Sequence, residues 1–151
     1  MSRDSLQAVA LHQEGKASCS QALLSVYGKY FGLDEKDAMR IASAFGGGMG
    51  GMGKTCGSVT GAFLVLGLTY DQNNPNAKSE VYALVKEFTK RFTARHGSIV
   101  CNELLNVDMS TPEGVKTFRE QKLLASVCAR TDASAAEIIE ELLAGRLPER
   151  H

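Results

Sequence analysis

Residues 78–96 read KSEVYALVKEFTKRFTARH. Val81, Leu84, Val85, Phe88 and Phe92 follow one another at the 3, 4, 7 and 11 offsets of a single helical face. Lys86, Lys90, Arg91 and Arg95 occupy much of the remaining surface, as a solvated face or one open to an acidic partner, and Gly97 is placed to stop the helix. Helical patterning extends outward in both directions. Downstream, a short turn runs from Cys101 to Leu105. Ser110-Thr111-Pro112-Glu113 then opens a helix that is predicted to reach Cys128, because Pro favours the first helical position. Ser134 and Glu137 form a capping-box pattern ahead of Ile138, Ile139, Leu142 and Leu143, with Gly145 ending the run.

Upstream, Asp71 to Asn76 is a polar loop containing Pro75. A helix of small residues is predicted from about Thr55, with Gly57 and Gly61 four apart on one face, so that another backbone can approach; a buried strand over 62–68 is the competing reading. Residues 46–53 read GGGMGGMG, which suits neither helix nor strand. Before it, Asp34 starts a helix carrying Ala38, Ile41, Ala42 and Phe45. Ser18 caps one that starts at Cys19, carries Leu23, Leu24, Val26, Tyr27 and Tyr30, and ends at Gly32. Ser2 caps a first helix with Leu6, Val9 and Ala10 inward, ending near Gly15. The fold class expected is all-α: one domain over 1–151, a bundle of about six to seven helices with a Gly-rich loop.

The chain has 151 residues, a length suited to one domain with a sizeable core. Leu, Ile, Val and Phe supply about a quarter of it, above the ~20% below which disorder sets in. Lys plus Arg equals Asp plus Glu, 17 of each, so net charge points to neither nucleic acid nor an anionic membrane. The longest apolar stretch, Ala62 to Leu68, is far short of the ~20 residues of a membrane span. The N-terminus MSRDS carries no apolar run of signal-peptide type, so the expected location is cytoplasmic. A symmetric homodimer is compatible with the sequence.

Stable structural disulfides are uncommon in the cytoplasm, so the four cysteines need another account. Cys19, Cys56, Cys101 and Cys128 are separated by 37, 45 and 27 positions. There is no C-x-x-C, hence no zinc-ribbon knuckle or thioredoxin-type pair, and no C-x-x-C-H for covalent haem attachment. Cys19 and Cys56 fall at predicted helix starts and Cys101 precedes a helical turn; free amides and the helix dipole favour a thiolate at such places. A free cysteine also serves as a small buried hydrophobe.

CGSVTG at 56–61, after the GGGMG loop and before an apolar GA-x-L-x-LG run, resembles the CGAxxG motif of the C_GCAxxG_C_C family of redox-active proteins. SCSQALL around Cys19, GSIVCNELLNVDMSTPEG at 97–114 and SVCARTDASAAEIIEELL at 126–143 resemble the segments of the family's other three cysteines, so the likeness covers nearly the whole chain. Ser58 departs from the motif, which has Ala there. The resemblance implies a small prokaryotic helical protein, redox-active, with an unidentified redox partner and no covalent haem.

Three functions compete on this footing. In the first, Cys19, Cys56, Cys101 and Cys128 perform thiol–disulfide or electron-transfer chemistry, as an oxidoreductase or carrier, with Cys56 as attacking thiolate and any of the other three resolving the disulfide. In the second, the same four are ligands of zinc or an iron–sulfur cluster, with His96 as a further candidate ligand. In the third, the helical domain is structural or an adaptor and the cysteines are inert. GMGGMGKT at 48–55 also matches the phosphate-loop pattern G-x-x-x-x-G-K-[ST] literally. The flanking pattern is helical where that loop needs a strand, which leaves Gly53, Lys54 and Gly57 as candidates for holding some anion or cofactor at the helix start. Met49 and Met52 read as gap-fillers or, with cysteine, as soft ligands for Cu(I).

Overall fold

A computed structural model describes residues 1–148 and is all-α, with eight helices and no strand among those residues. The count exceeds six to seven because the turn at 101–105 is itself helical. Helix α1 spans Arg3–Gln13, with the Ser2 hydroxyl accepting from the Ser5 amide at 3.0 Å. Its inward face is partly polar, contrary to the sequence expectation: Asp4 and Ser5 are buried beside Ala8, whereas Leu6 is 52% exposed. The reason is tertiary. The Tyr30 hydroxyl donates to Asp4 Oδ2 at 2.7 Å, and His12 Nδ1 lies 2.6 Å from Asp132 Oδ2, so α1 docks through hydrogen bonds as well as through Ala8 and Leu11, which pack on the core.

Helix α2 (Cys19–Gly28) starts in a full capping box: the Gln21 amide donates to Ser18 Oγ, and the Ser18 amide donates to Gln21 Oε1 at 3.0 Å. A 3₁₀ turn over Lys29–Phe31 follows, and Gly32 closes it at φ 82°. Helix α3 (Glu35–Ala42) is capped by Asp34 and buries Ala38 and Ala42 against α2; Ile41 lies on its uncovered side, 48% exposed. The Gly-rich segment makes one irregular turn at Gly46–Met49, with Gly47 and Gly48 both at positive φ. Helix α4 (Gly57–Gly67) settles the helix-or-strand alternative for 62–68 in favour of helix.

Helix α5 (Ala77–His96) is the long helix expected, ended by Gly97 at φ 82°. Phe88 and Phe92 are fully buried and stacked at 5.8 Å, with Phe63 edge-on to Phe88 at 5.7 Å. They join Leu23, Leu24, Tyr27, Leu66, Ile138 and Ile139 in a continuous apolar core. Each such side chain contributes about 1.5–3 kcal/mol by leaving water. The basic face of α5 is partly paired within the chain: Arg91 and Arg95 reach Glu87, Glu137 and Glu141.

Helix α6 (Cys101–Leu105) and helix α7 (Pro112–Glu120) follow. Here the structure departs from expectation again. The helix from Pro112 does not run to Cys128: Lys122 turns the chain at φ 54°. A π-helical turn over Leu124–Cys128 then leads straight into α8 (Ala129–Leu142), so Ser134 lies inside a helix and caps nothing. The π turn is held by one tertiary partner, Gln13 Nε2 donating to the Leu124 carbonyl at 2.8 Å, and one local one, the Thr131 hydroxyl donating to the Cys128 carbonyl at 3.0 Å. No described helix is long and apolar enough to cross a membrane.

The closest packing joins α2 and α4. A methyl group at Gly61 would fall 2.9 Å from Ser20 Cα and 3.2 Å from Leu23 Cβ. Gly61→Ala improves helix propensity but forces backbone apart, so the net expectation is a loss of about 1–2 kcal/mol. In thermal unfolding that corresponds to a midpoint roughly 3–8 °C lower.

Candidate functional site

The site begins with the short backbone pairing that follows the Gly-rich loop. Thr55 and Val100 form an antiparallel bridge. Around it the Cys56 amide donates to the Ile99 carbonyl at 2.7 Å, the Cys101 amide to the Lys54 carbonyl at 2.6 Å, and the Asn102 amide to the Gly53 carbonyl at 3.2 Å. Cys56 becomes the N-cap residue of α4 and Cys101 the first residue of α6, side by side. Gly48 fits against Cys101 and the Gly53–Lys54 backbone only because it has no side chain: a Cβ there would lie 2.7 Å from Cys101 Cβ and from the Lys54 nitrogen, and its φ of 74° suits glycine.

Cys19 arrives on the first turn of α2. A Cβ on Gly57 would fall 2.1 Å from Cys19 Sγ, so the glycine of the CGSVTG motif is the space that the sulfur occupies. Cys128 comes from the π turn, whose wider winding is frequent at functional sites. All four cysteines are free thiols lining one cavity; Cys19, Cys56 and Cys101 are buried and Cys128 is half-buried. The cavity offers about 70 Å³ to the centres of water molecules, room for several at ~10–15 Å³ each. Its other walls are largely apolar, from Leu104, Leu105, Met109, Phe118 and Val127.

One wall is polar. Asp132 is fully buried, 0% exposed, and both its oxygens are engaged: Oδ1 accepts from the Ser58 hydroxyl at 2.6 Å, and Oδ2 lies 2.6 Å from His12 Nδ1. His12, Ser58 and Thr131 line the cavity with the thiols. Sequence reasoning passed over all three and Asp132. Ser58 carried the one available signal, a polar residue where the family motif has alanine. The histidine that the sequence offered as a further candidate ligand, His96, packs its ring on Phe92 at 4.6 Å between centroids.

The thiols do not have the lowered pKa expected of helix starts. Burial pushes Cys19 and Cys56 up, and it pushes Cys101 up to about 12 and Cys128 further. Neighbouring negative charge adds to this: Asp132 acts on Cys19, Cys56 and Cys128, and the Cys56 thiolate on Cys19, Cys101 and Cys128. The amide effect anticipated from sequence has the right sign. The Ser20 amide favours the Cys19 thiolate, and the Ser58 hydroxyl with the Ser58 and Val59 amides favours that of Cys56. Desolvation is the larger effect.

The amides at the end of the Gly-rich loop are engaged within the loop itself. The amides of Gly51, Met52, Gly53 and Lys54 donate to the carbonyls of Gly46, Met49, Gly47 and Gly48, and no strand precedes them. Gly53 and Lys54 hold the segment of Cys101 through their carbonyls, while Gly57 accommodates Cys19. Met52, read as a gap-filler, is 55% exposed. Among the described residues no three His, Cys, Asp or Glu side chains are grouped as a metal ion requires.

A family model described as "putative redox-active protein (C_GCAxxG_C_C)" matches residues 17–142. Comparisons with curated proteins and with solved structures found no match.

Raised thiol pKa values link stability to pH. The unfolded thiols ionise near pH 9 while the folded ones hold their protons, so the stabilisation is intact below pH 9 and is lost as pH rises towards 12. In denaturant melts across that range, the wild type loses stability more steeply than a Cys101→Ser variant.

Proposed function

The chain belongs to the C_GCAxxG_C_C family of redox-active proteins, and from that premise we propose that its four cysteines work as a thiol–disulfide redox centre. One observation carries the reading: four cysteines, widely separated in sequence, come from four segments onto one cavity. Cys56 is the attacking thiol in this reading, since it stands at the start of α4, where the Ser58 and Val59 amides favour its thiolate.

The chemistry is a two-electron exchange. A Cys56 thiolate attacks a sulfur of a partner's disulfide, forming a mixed disulfide and releasing one partner thiolate. Cys19, Cys101 or Cys128 then attacks Cys56 Sγ, closes a protein disulfide and releases the second partner thiolate. The protein loses two electrons and two protons, and the partner gains them; a second cysteine pair doubles the capacity. The reverse sequence reduces a partner. Gly53, Lys54 and Gly57 serve this centre as scaffold, through two carbonyls and one absent side chain. Buried, protonated thiols resist adventitious oxidation, which suits a centre held reduced in a compartment such as the cytoplasm.

The test is native mass spectrometry of protein purified without oxygen. The expected mass is that of the bare reduced chain, falling by two or four hydrogens on mild oxidation. Cys56→Ser should retain the helical fold and lose most of the disulfide formed in the same time. Added mass matching zinc or an iron–sulfur cluster would replace this reading by one in which the four thiolates are ligands.

A further inference from the structure

The buried carboxylate beside the thiols has the wrong sign for a centre that must make thiolates. Asp132 has no exposed surface, and its charge opposes ionisation of Cys19, Cys56 and Cys128. A neutral side chain could hold the Ser58 hydroxyl without that penalty. The conflict disappears if the proton leaving a thiol stays within the same buried cluster. A thiol becoming thiolate while a carboxylate takes up the proton leaves the net buried charge unchanged, so no new charge is desolvated.

The geometry supplies the path. The Ser58 hydroxyl, two residues from Cys56 on the wall of the same cavity, donates to Asp132 Oδ1 at 2.6 Å, with Thr131 Oγ1 at 3.3 Å beside it. On the far side Asp132 Oδ2 meets His12 Nδ1 at 2.6 Å, and the His12 ring reaches both the cavity wall and, with 15% of its side chain exposed, the solvent. A hydroxyl both donates and accepts, which a relay between sulfur and carboxylate requires. From these contacts we propose that the Asp132–His12 pair is the proton acceptor of the thiol centre, reached from Cys56 through the Ser58 hydroxyl. The proposal rests on the thiol–disulfide reading above and adds the base that reading lacks.

The step balances as follows. Cys56 S–H passes its proton to Ser58 Oγ as the Ser58 proton moves to Asp132, and the Asp132–His12 pair gains one proton. The Cys56 thiolate forms a bond to a sulfur of the partner's disulfide, the partner's S–S bond breaks, and the departing thiolate takes up a proton given back by the pair. The second cysteine repeats the cycle. The groups facing Asp132 are His12 from α1, Cys19 from α2, Cys56 and Ser58 from the start of α4, and Cys128 from the π turn.

The experiment follows the reaction of the reduced protein with dithiodipyridine, a small neutral disulfide, at neutral pH. Absorbance gives the rate, and mass spectrometry locates the first mixed disulfide and counts the hydrogens lost. Asp132→Asn gives opposite signs for the two roles. If the carboxylate acts only through its charge, removing it eases thiolate formation and speeds the reaction. If it accepts the proton, Cys56 reacts at least fivefold more slowly, and Ser58→Ala is slowed likewise. An Asp132→Asn rate within fivefold of wild type, or faster, overturns the proposal. Should that variant fail to fold, Ser58→Ala decides by the same criterion. Wild type that closes no protein disulfide overturns the redox reading and this one with it; wild type that closes one, with variants as fast, overturns this one alone.

Discussion

The arrangement depends on how closely α2 lies against the glycine face of α4. Gly61 lets the backbone at Ser20 come within contact distance, and Gly57 leaves the volume filled by Cys19 Sγ. Side chains at those positions would push α2 outward, carrying Cys19 away from Cys56 and withdrawing Ser20, whose hydroxyl donates to the Ala42 carbonyl at the end of α3. From that one approach follow the positions of α3, of the irregular glycine turn after it, and of the loop that pairs with residues 99–102. Protein interiors are packed densely enough that such a displacement could not be absorbed locally.

A second constraint is electrostatic. Four thiols share a cavity with largely apolar walls, and their burial keeps them protonated. A resting store of protected thiols is chemically quiet, which is useful until reaction is wanted; the thiolate must then be made in a place that disfavours charge. Fixed amide dipoles at the α4 start offset part of that cost for Cys56. The His12–Asp132–Ser58 array is the other polar feature within reach. It ties α1, α4 and α8 together at the same point, so structural and chemical roles coincide there.

Legibility differed by kind of feature. The amphipathic stripe of α5, the Ser18 cap and the Gly97 stop are local, and each formed where periodicity and capping chemistry placed it. The four cysteines were legible as candidates by residue type and by their resemblance to a family. What misled were features whose outcome is tertiary. Leu6 looked inward because it is apolar, yet α1 buries Asp4 and directs His12 to Asp132. His96 was only a further candidate ligand for standing near Cys101 in sequence, and its ring packs on Phe92. Ser134 and Glu137 had the spacing of a cap, and a π turn upstream removed the helix end they would have capped.

By itself, then, the sequence determined an all-α chain, the limits of most helices, the glycine face and the identity of the four thiols, because each follows from interactions within a few residues. Only the tertiary structure decided that the thiols share a cavity, that Asp132 and His12 face them, and that burial outweighs the helix-start effect on their ionisation. Those outcomes depend on which segments exclude water from one another, and residues as far apart in sequence as His12 and Asp132 meet only after the helices between them have packed.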